Sequence, residues 1–278
     1  STFAIAEYGE VLRVVSQEKK DNKKNSADFP SEAIEDVLKD LNWNKNQIDQ
    51  ILICGNEIFP SRVYDYLFDS KNIINDKNHL YKFFKITIKF IFYNFTPIYE
   101  FIKYFRVKFL LNEGRYNLNK NLAKLGLSSK PIKFIEHHLC HARSAYNFFI
   151  DSLENEPALI MTLDGSGDGL CSTVYEVDKF KNFKLIASTK SQNSIGNIYS
   201  STTLFLGMKI LEHEYKVMGL AAYAKEKYFI ETYNKIFKNI ITLDKSNPLK
   251  FKSKINTSKF LDYLKRNAVG ERFDNMAG

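Results

Sequence analysis

Only three cysteines, one tryptophan and six prolines occur among 278 residues, and these scarcities narrow the field. Cys54, Cys140 and Cys171 are odd in number, widely spaced and without a Cys-x-x-Cys pair. That excludes a disulfide framework and a zinc ribbon and fits a reducing cytoplasm. Long hydrophobic runs are also missing. In the aromatic-rich stretch 80–111 the longest uncharged run, Phe90 to Tyr99, is ten residues, against roughly 20 needed to cross a bilayer. No transmembrane segment is expected, and no signal peptide, because Thr2–Ala6 already reads as a strand without a charged leader. Histidine numbers five, yet three of the five fall within His137–His141.

What is present is a globular composition, 44% hydrophobic, long enough for one large or two ordinary domains. The net charge of +8 comes from lysines interspersed with Ile, Phe, Tyr and Asn along the whole chain. Nucleic acid is therefore not an expected partner. Lys82, Lys85 and Lys89 recur at helical spacing opposite an aromatic face, and an inserted helical hairpin broken at Pro97 is preferred there to a membrane-surface helix.

Alternating helix and strand signals define an α/β chain. Thr2–Ala6 and Val11–Gln17 read as a hairpin turning at Gly9, followed by a charged loop from Glu18 to Asn25. A helix opened by Pro30 carries Ala33, Ile34, Val37, Leu38 and Leu41 on one face, and Gln50–Cys54 is expected as a short buried strand. Pro131–Ile135 leads into a histidine helix, with a lobe boundary at Asp151–Pro157. Ala158–Leu163, Leu170–Val177 and Lys184–Thr189 read as strands, with the glycine-acid segment as a hairpin loop. Helices follow over Ile198–Leu206, stopped by Gly207, and over His213–Ala222; from Glu226 onward only helical patches are expected.

Two motifs carry chemistry. On a helix His137 and His141 share a face and can bring two imidazoles to one divalent ion, completed by a carboxylate, a set suited to iron, manganese or zinc. His138 points about 100° away. Cys140 reads as a core residue rather than a nucleophile, because adjacent helix positions do not face each other. In the second motif, Asp164, Ser166, Asp168 and Gly169 match the start of an EF-hand loop, but Tyr175 stands where its last Glu belongs and strands flank it, which rejects calcium. The alternatives are a plain Asp-Gly hairpin or a turn whose Gly165, Gly167 and Gly169 let backbone amides approach phosphates.

The ordered runs EHHLCHARSAYNFF, TLDGSGDG, SIGNIYSSTTLFLGM and HEYKVMGLAAYA, with the opening GEVLRVVSQEK and FPSEAI, resemble the O-carbamoyltransferase family that includes nodulation-factor and aminoglycoside-antibiotic carbamoyltransferases. The resemblance covers most of residues 1–224. It implies a two-lobed actin-like ATPase fold of ribonuclease H type, here incomplete at both ends. Residues 1–152 would be a first lobe lacking its initial strand, with a helical insertion at about 60–130, and 153–278 the start of a second. It also implies that His137 and His141 bind Fe2+ (or Mn2+ or Zn2+), with a third ligand beyond Gly278. Asp164, Gly165, Ser166, Gly167, Asp168 and Gly169 would form a hairpin for ATP or carbamoyladenylate, with Mg2+ as a further candidate ion. Lys216 and Gly219 would lie near the nucleotide or substrate. The implied reaction moves a carbamoyl group, activated from carbamoyl phosphate and ATP, to a small-molecule or sugar hydroxyl. His138 is the candidate base for that hydroxyl.

The partners implied are the hydroxyl acceptor, carbamoyl phosphate, the rest of the second lobe and an adenylate-forming domain, without which the chain is not expected to catalyse the overall reaction. Two other classes compete. A sugar-kinase-like or other actin-like ATPase would bind nucleotide without needing His137 and His141. A non-catalytic binding lobe would bind no nucleotide at all.

Overall fold

A computed structural model describes residues 1–63, 96–153, 156–268, 270–271 and 273–277, which form a mixed α/β structure. The chain divides into two compact units, residues 1–52 with 57–133, and residues 53–56 with 134–278.

In the first unit, Tyr8 and Gly9 adopt φ of 51° and 87°, the left-handed pair a two-residue hairpin turn requires. They join β1 (Thr2–Glu7) to β2 (Glu10–Ser16) in antiparallel register, with an irregularity after Ile5. The segment expected as a charged loop begins instead with one helical turn, α1 (Glu18–Asp21), ended by Asn22 at φ 55°. Helix α2 (Ser31–Asp40) packs on β2 and buries Ala33, Ile34, Val37 and Leu38 on a single stripe, as their spacing requires. Strand β3 (Ile51–Cys54) forms where expected but is not buried: Leu52 is 56% exposed. The long helix α3 covers Thr96–Lys124. Lys82, Lys85, Lys89 and the other limb of the expected hairpin lie outside the described residues. Gly114 lets α3 meet the 58–59 backbone, since a Cβ there would stand 2.0 Å from the Ile58 carbonyl oxygen. Strand β4 (Ile132–Ile135) pairs with β3. The amides of Ile51 and Gly55 donate to the carbonyls of Pro131 and Ile135 at 2.9 and 2.7 Å, rungs that advance together and make the pair parallel.

The second unit is built on a three-stranded antiparallel sheet of β5 (Ala158–Gly167), β6 (Leu170–Val177) and β7 (Phe183–Lys190). β5 runs four residues further than expected, so the glycine-acid segment is not a wide loop. Its register with β6 breaks between Leu163 and Gly167, and the tip is only Asp168 and Gly169, at φ 49° and 76°. Helix α4 (His137–Phe149), expected to end the first lobe, belongs to this unit and lies on β5 and β6, with Ala142 and Tyr146 in a buried cluster with Ile160, Tyr175 and Val177.

Helix α5 (Ile195–Phe205) starts one turn earlier than expected, capped by the Ser194 hydroxyl, and stops before Gly207 at φ 75°. Helices α6 (Glu214–Ala221), α7 (Glu226–Thr232), α8 (Phe260–Asn267) and α9 (Phe273–Ala277) follow. Leu206, Val217, Ile236, Ile240, Phe260 and Leu264 form their common core. Between α7 and α8 lies a hairpin that sequence periodicity did not reveal, β8 (Ile241–Asp244) and β9 (Asn247–Ser253). Lys245 and Ser246 make its turn, where a Gly or Asn would have announced it. No described helix is long and apolar enough to cross a membrane.

Candidate metal centre

Helix α4 begins where Glu136 caps it. Its carboxylate accepts from the amides of His138 and Leu139 at 3.0 and 2.6 Å, and the Tyr175 hydroxyl donates to it at 3.2 Å. The remaining amide of this first turn, that of His137, donates to Asp168 at 2.9 Å. Asp168 also accepts from the Asn56 amide at 2.8 and 2.9 Å and from its side chain at 3.1 Å. Two carboxylates thus complement the positive end of the helix, and one of them ties in the loop after β3.

This start angle sets His137 and His141 beside Asp164 on β5. His137 Nε2 lies 2.7 Å from Asp164 Oδ2 and 3.0 Å from His141 Nε2, and His141 Nε2 lies 3.7 Å from the same carboxylate oxygen. The three are the one group of metal-ligating side chains found together among the described residues. Asp164 thus stands beside the two histidines as a carboxylate that could complete a metal-ligand set within this chain. Burial raises the Asp164 carboxyl, but the His137 ring, the Gly165 amide and the charge of both imidazoles outweigh it, leaving it below the usual carboxylate range.

The donor set fits a divalent cation. Without a cation these contacts are met only when one hydrogen on His137 Nε2 is shared between Asp164 Oδ2 and the lone pair of His141 Nε2. A divalent cation accepting one lone pair from each of the three atoms would satisfy the same convergence without any shared hydrogen. With bonds of about 2.1 Å, ligand atoms stand about 3.0 Å apart at right angles and about 3.4 Å in a tetrahedron; the three separations here, 2.7, 3.0 and 3.7 Å, bracket these values.

The other expected site residues are placed differently. His138 is completely buried, so it cannot meet an acceptor hydroxyl as a base. Gly167 and Gly169 have reasons in the chain's own packing and backbone, whereas a Cβ on Gly165 would meet nothing within 4 Å. Gly167 exists because the His137 ring lies on it: a Cβ would stand 2.1 Å from Cδ2. A Cβ on Gly196 would stand 2.8 Å from Gly165 Cα, so the start of α5 meets the strand backbone to backbone. Gly169 supplies positive φ, and Asp168 is engaged by Asn56 and His137. Ser166 is exposed. Lys216 and Gly219 lie on the exposed side of α6, the Lys216 ammonium 5.9 Å from the Tyr215 ring and Gly219 facing open space. Glu136, Asn56 and Thr162 were missed; the one usable signal was the alternation in β5, which puts Ile160, Thr162 and Asp164 on one side.

Cys140 is no nucleophile. Burial, with the neighbouring thiol of Cys54, pushes it up to about 12, and burial pushes Cys171 up to about 11. Iodoacetamide at pH 8 is expected to label exposed Cys54 first and the other two only after denaturation, as peptide mass spectrometry would show.

The family model described as the carbamoyltransferase N-terminus matches residues 1–273, and the chain belongs to that family. An uncharacterized protein of Methanocaldococcus jannaschii is 30% identical over 170 residues, 54% of this chain and 32% of the relative. An uncharacterized protein of Synechocystis is 26% identical over 237 residues, 82% of this chain and 34% of the relative. Nodulation protein NolNO of Sinorhizobium fredii is 34% identical over 128 residues, 44% of this chain and 18% of the relative. The chain spans about a third or less of the length of these curated relatives.

Proposed function

We propose that this chain is the acceptor-side portion of an O-carbamoyltransferase, an incomplete actin-like domain that holds a divalent cation, Fe2+ foremost, through His137, His141 and Asp164. The observation that carries this is the convergence of those three ligand atoms from α4 and β5 in a chain of the carbamoyltransferase family.

In the proposed reaction the acceptor oxygen attacks the carbamoyl carbon of carbamoyladenylate. A new O–C bond forms, the bond from that carbon to the adenylate phosphate oxygen breaks, AMP leaves, and the acceptor proton passes to a base or to solvent. A cation at the three ligands would supply Lewis-acid stabilisation of the negative charge developing on the carbamoyl oxygen. The chain's own part is to hold and orient. Glu136 and Asp168 fix the direction of α4, and Gly167 admits the His137 ring. In the hairpin, Gly165 faces open space and Ser166 is exposed, which makes them the residues left to meet an anion.

The test is calorimetry with a hydrolysis-resistant carbamoyladenylate analogue, with and without Fe2+ under anaerobic conditions. The expected result is affinity that falls at least about tenfold when the metal is removed or His141→Ala is introduced. Nucleotide affinity indifferent to both would favour an actin-like phosphotransferase, and no affinity would leave a binding lobe.

A further inference from the structure

Underneath the three ligands lies a buried polar contact that their chemistry does not require. His138 is completely buried, and its Nδ1 lies 2.8 Å from Thr162 Oγ1. That hydroxyl lies 2.7 Å from Thr173 Oγ1 on β6 and accepts from the Thr173 amide at 3.1 Å. A threonine hydroxyl has one hydrogen and two lone pairs, so these three contacts use its whole capacity and fix its direction. The other imidazole nitrogen, Nε2, is buried with no hydrogen-bond partner among the described residues. A leucine would fill the same volume and leave no nitrogen stranded. What the imidazole adds, therefore, is the bond to Thr162.

That bond joins the two elements that carry the ligands. His138 sits between His137 and His141 on α4, and Thr162 stands two residues before Asp164 on the same side of β5. Tyr146, two turns after His138, shares the buried cluster with Ile160, so helix and strand run in opposite senses. The polar ties of Glu136 to Tyr175 and of the His137 amide to Asp168 hold only the start of the helix, and beneath the ligands the surroundings of His138 and Thr162 are otherwise apolar packing. Apolar surfaces tolerate displacement better than a saturated hydrogen bond does. A slide of one helical turn, about 5.4 Å, would take both ligand histidines away from Asp164. We infer that His138 and Thr162 are positioning residues, a strut that sets the register of α4 on β5 and thereby assembles the His137–His141–Asp164 centre. This inference rests on the metal-binding reading of that centre.

The test is a titration of the metal-free protein with Co2+, read by affinity and by the visible ligand-field spectrum, which reports the ligand geometry directly. Thr162→Val keeps the volume and removes the hydroxyl; His138→Leu removes the imidazole; His138→Asn returns a polar atom near the Nδ1 position. Thr202→Val is the control, a buried threonine on α5 whose hydroxyl donates to the Ile198 carbonyl at 2.9 Å. Thr162→Val and His138→Leu are expected to lower Co2+ affinity at least about tenfold and to change the spectrum, the scale of loss typical when an outer partner of a metal ligand is removed. His138→Asn should stay within about threefold of the parent, and Thr202→Val should match it. Thr162→Val and His138→Leu proteins with native circular dichroism, parental affinity and parental spectrum would overturn the strut alone. An equal loss in Thr202→Val would also overturn it, by showing general loosening. Should His138→Leu fail to fold, Thr162→Val decides. A parent that binds no Co2+ would remove the metal-centre reading itself, and the strut with it.

Discussion

Asp164→Ala is expected to lower divalent-metal affinity by more than about 100-fold, a larger loss than the 10–100-fold typical of partners one step removed from a metal. Asp164 is the one anionic member of the cluster, and its Oδ2 lies within 2.7 and 3.7 Å of the two histidine nitrogens. Without it two imidazoles remain on one helix face, a chelate that holds Fe2+, Mn2+ or Zn2+ weakly. Asp164→Asn should lose nearly as much, because the amide keeps the shape and gives up the charge. Competition against a chromophoric chelator would measure both. Parental affinity in Asp164→Ala would mean that the metal, if bound, is held elsewhere.

Gly167→Ala is the second change expected to have a large effect, and it reaches the same centre by a different route. The backbone at 167 does not require positive φ, so alanine meets no conformational penalty there. It meets the His137 ring: the new Cβ would stand 2.1, 2.3 and 2.6 Å from Cδ2, Cγ and Nε2. The ring must leave its place, which should cost metal affinity about as heavily as removing a ligand, together with about 1–3 kcal/mol of stability for overpacking. Thermal denaturation and the same chelator competition would separate the two losses. Gly219→Ala provides the comparison, since its Cβ would enter open space, and it should leave metal affinity unchanged.

The pair His137 and His141 was legible because a four-residue helical spacing is a local property, and so were α2, the antiparallel sheet and the hairpin at Gly9. The carboxylate beside them was not legible. Asp164 is 27 residues from His137 in sequence, and only the packing of α4 on β5 brings them together. His138 was misassigned for the same reason: helical geometry gives its angle from the metal face, but not that β5 and β6 bury that direction. The sequence shows that Gly165, Gly167 and Gly169 leave room for a close approach but not what approaches: at Gly167 it is the His137 ring, set by tertiary contact. β3 looked buried because Ile-Leu-Ile is apolar, yet Leu52 is 56% exposed.

The caps at the start of α4 bear on the order in which the proposed ligands would bind. Glu136, Asp164 and Asp168 bring three carboxylates to one end of a single helix, and the amides that could have welcomed an anion there already donate to two of them. An adenylate arriving alone would meet net repulsion, whereas a divalent cation cancels two of the three charges. In the proposed reaction the cation is then expected to bind first and the anionic donor second.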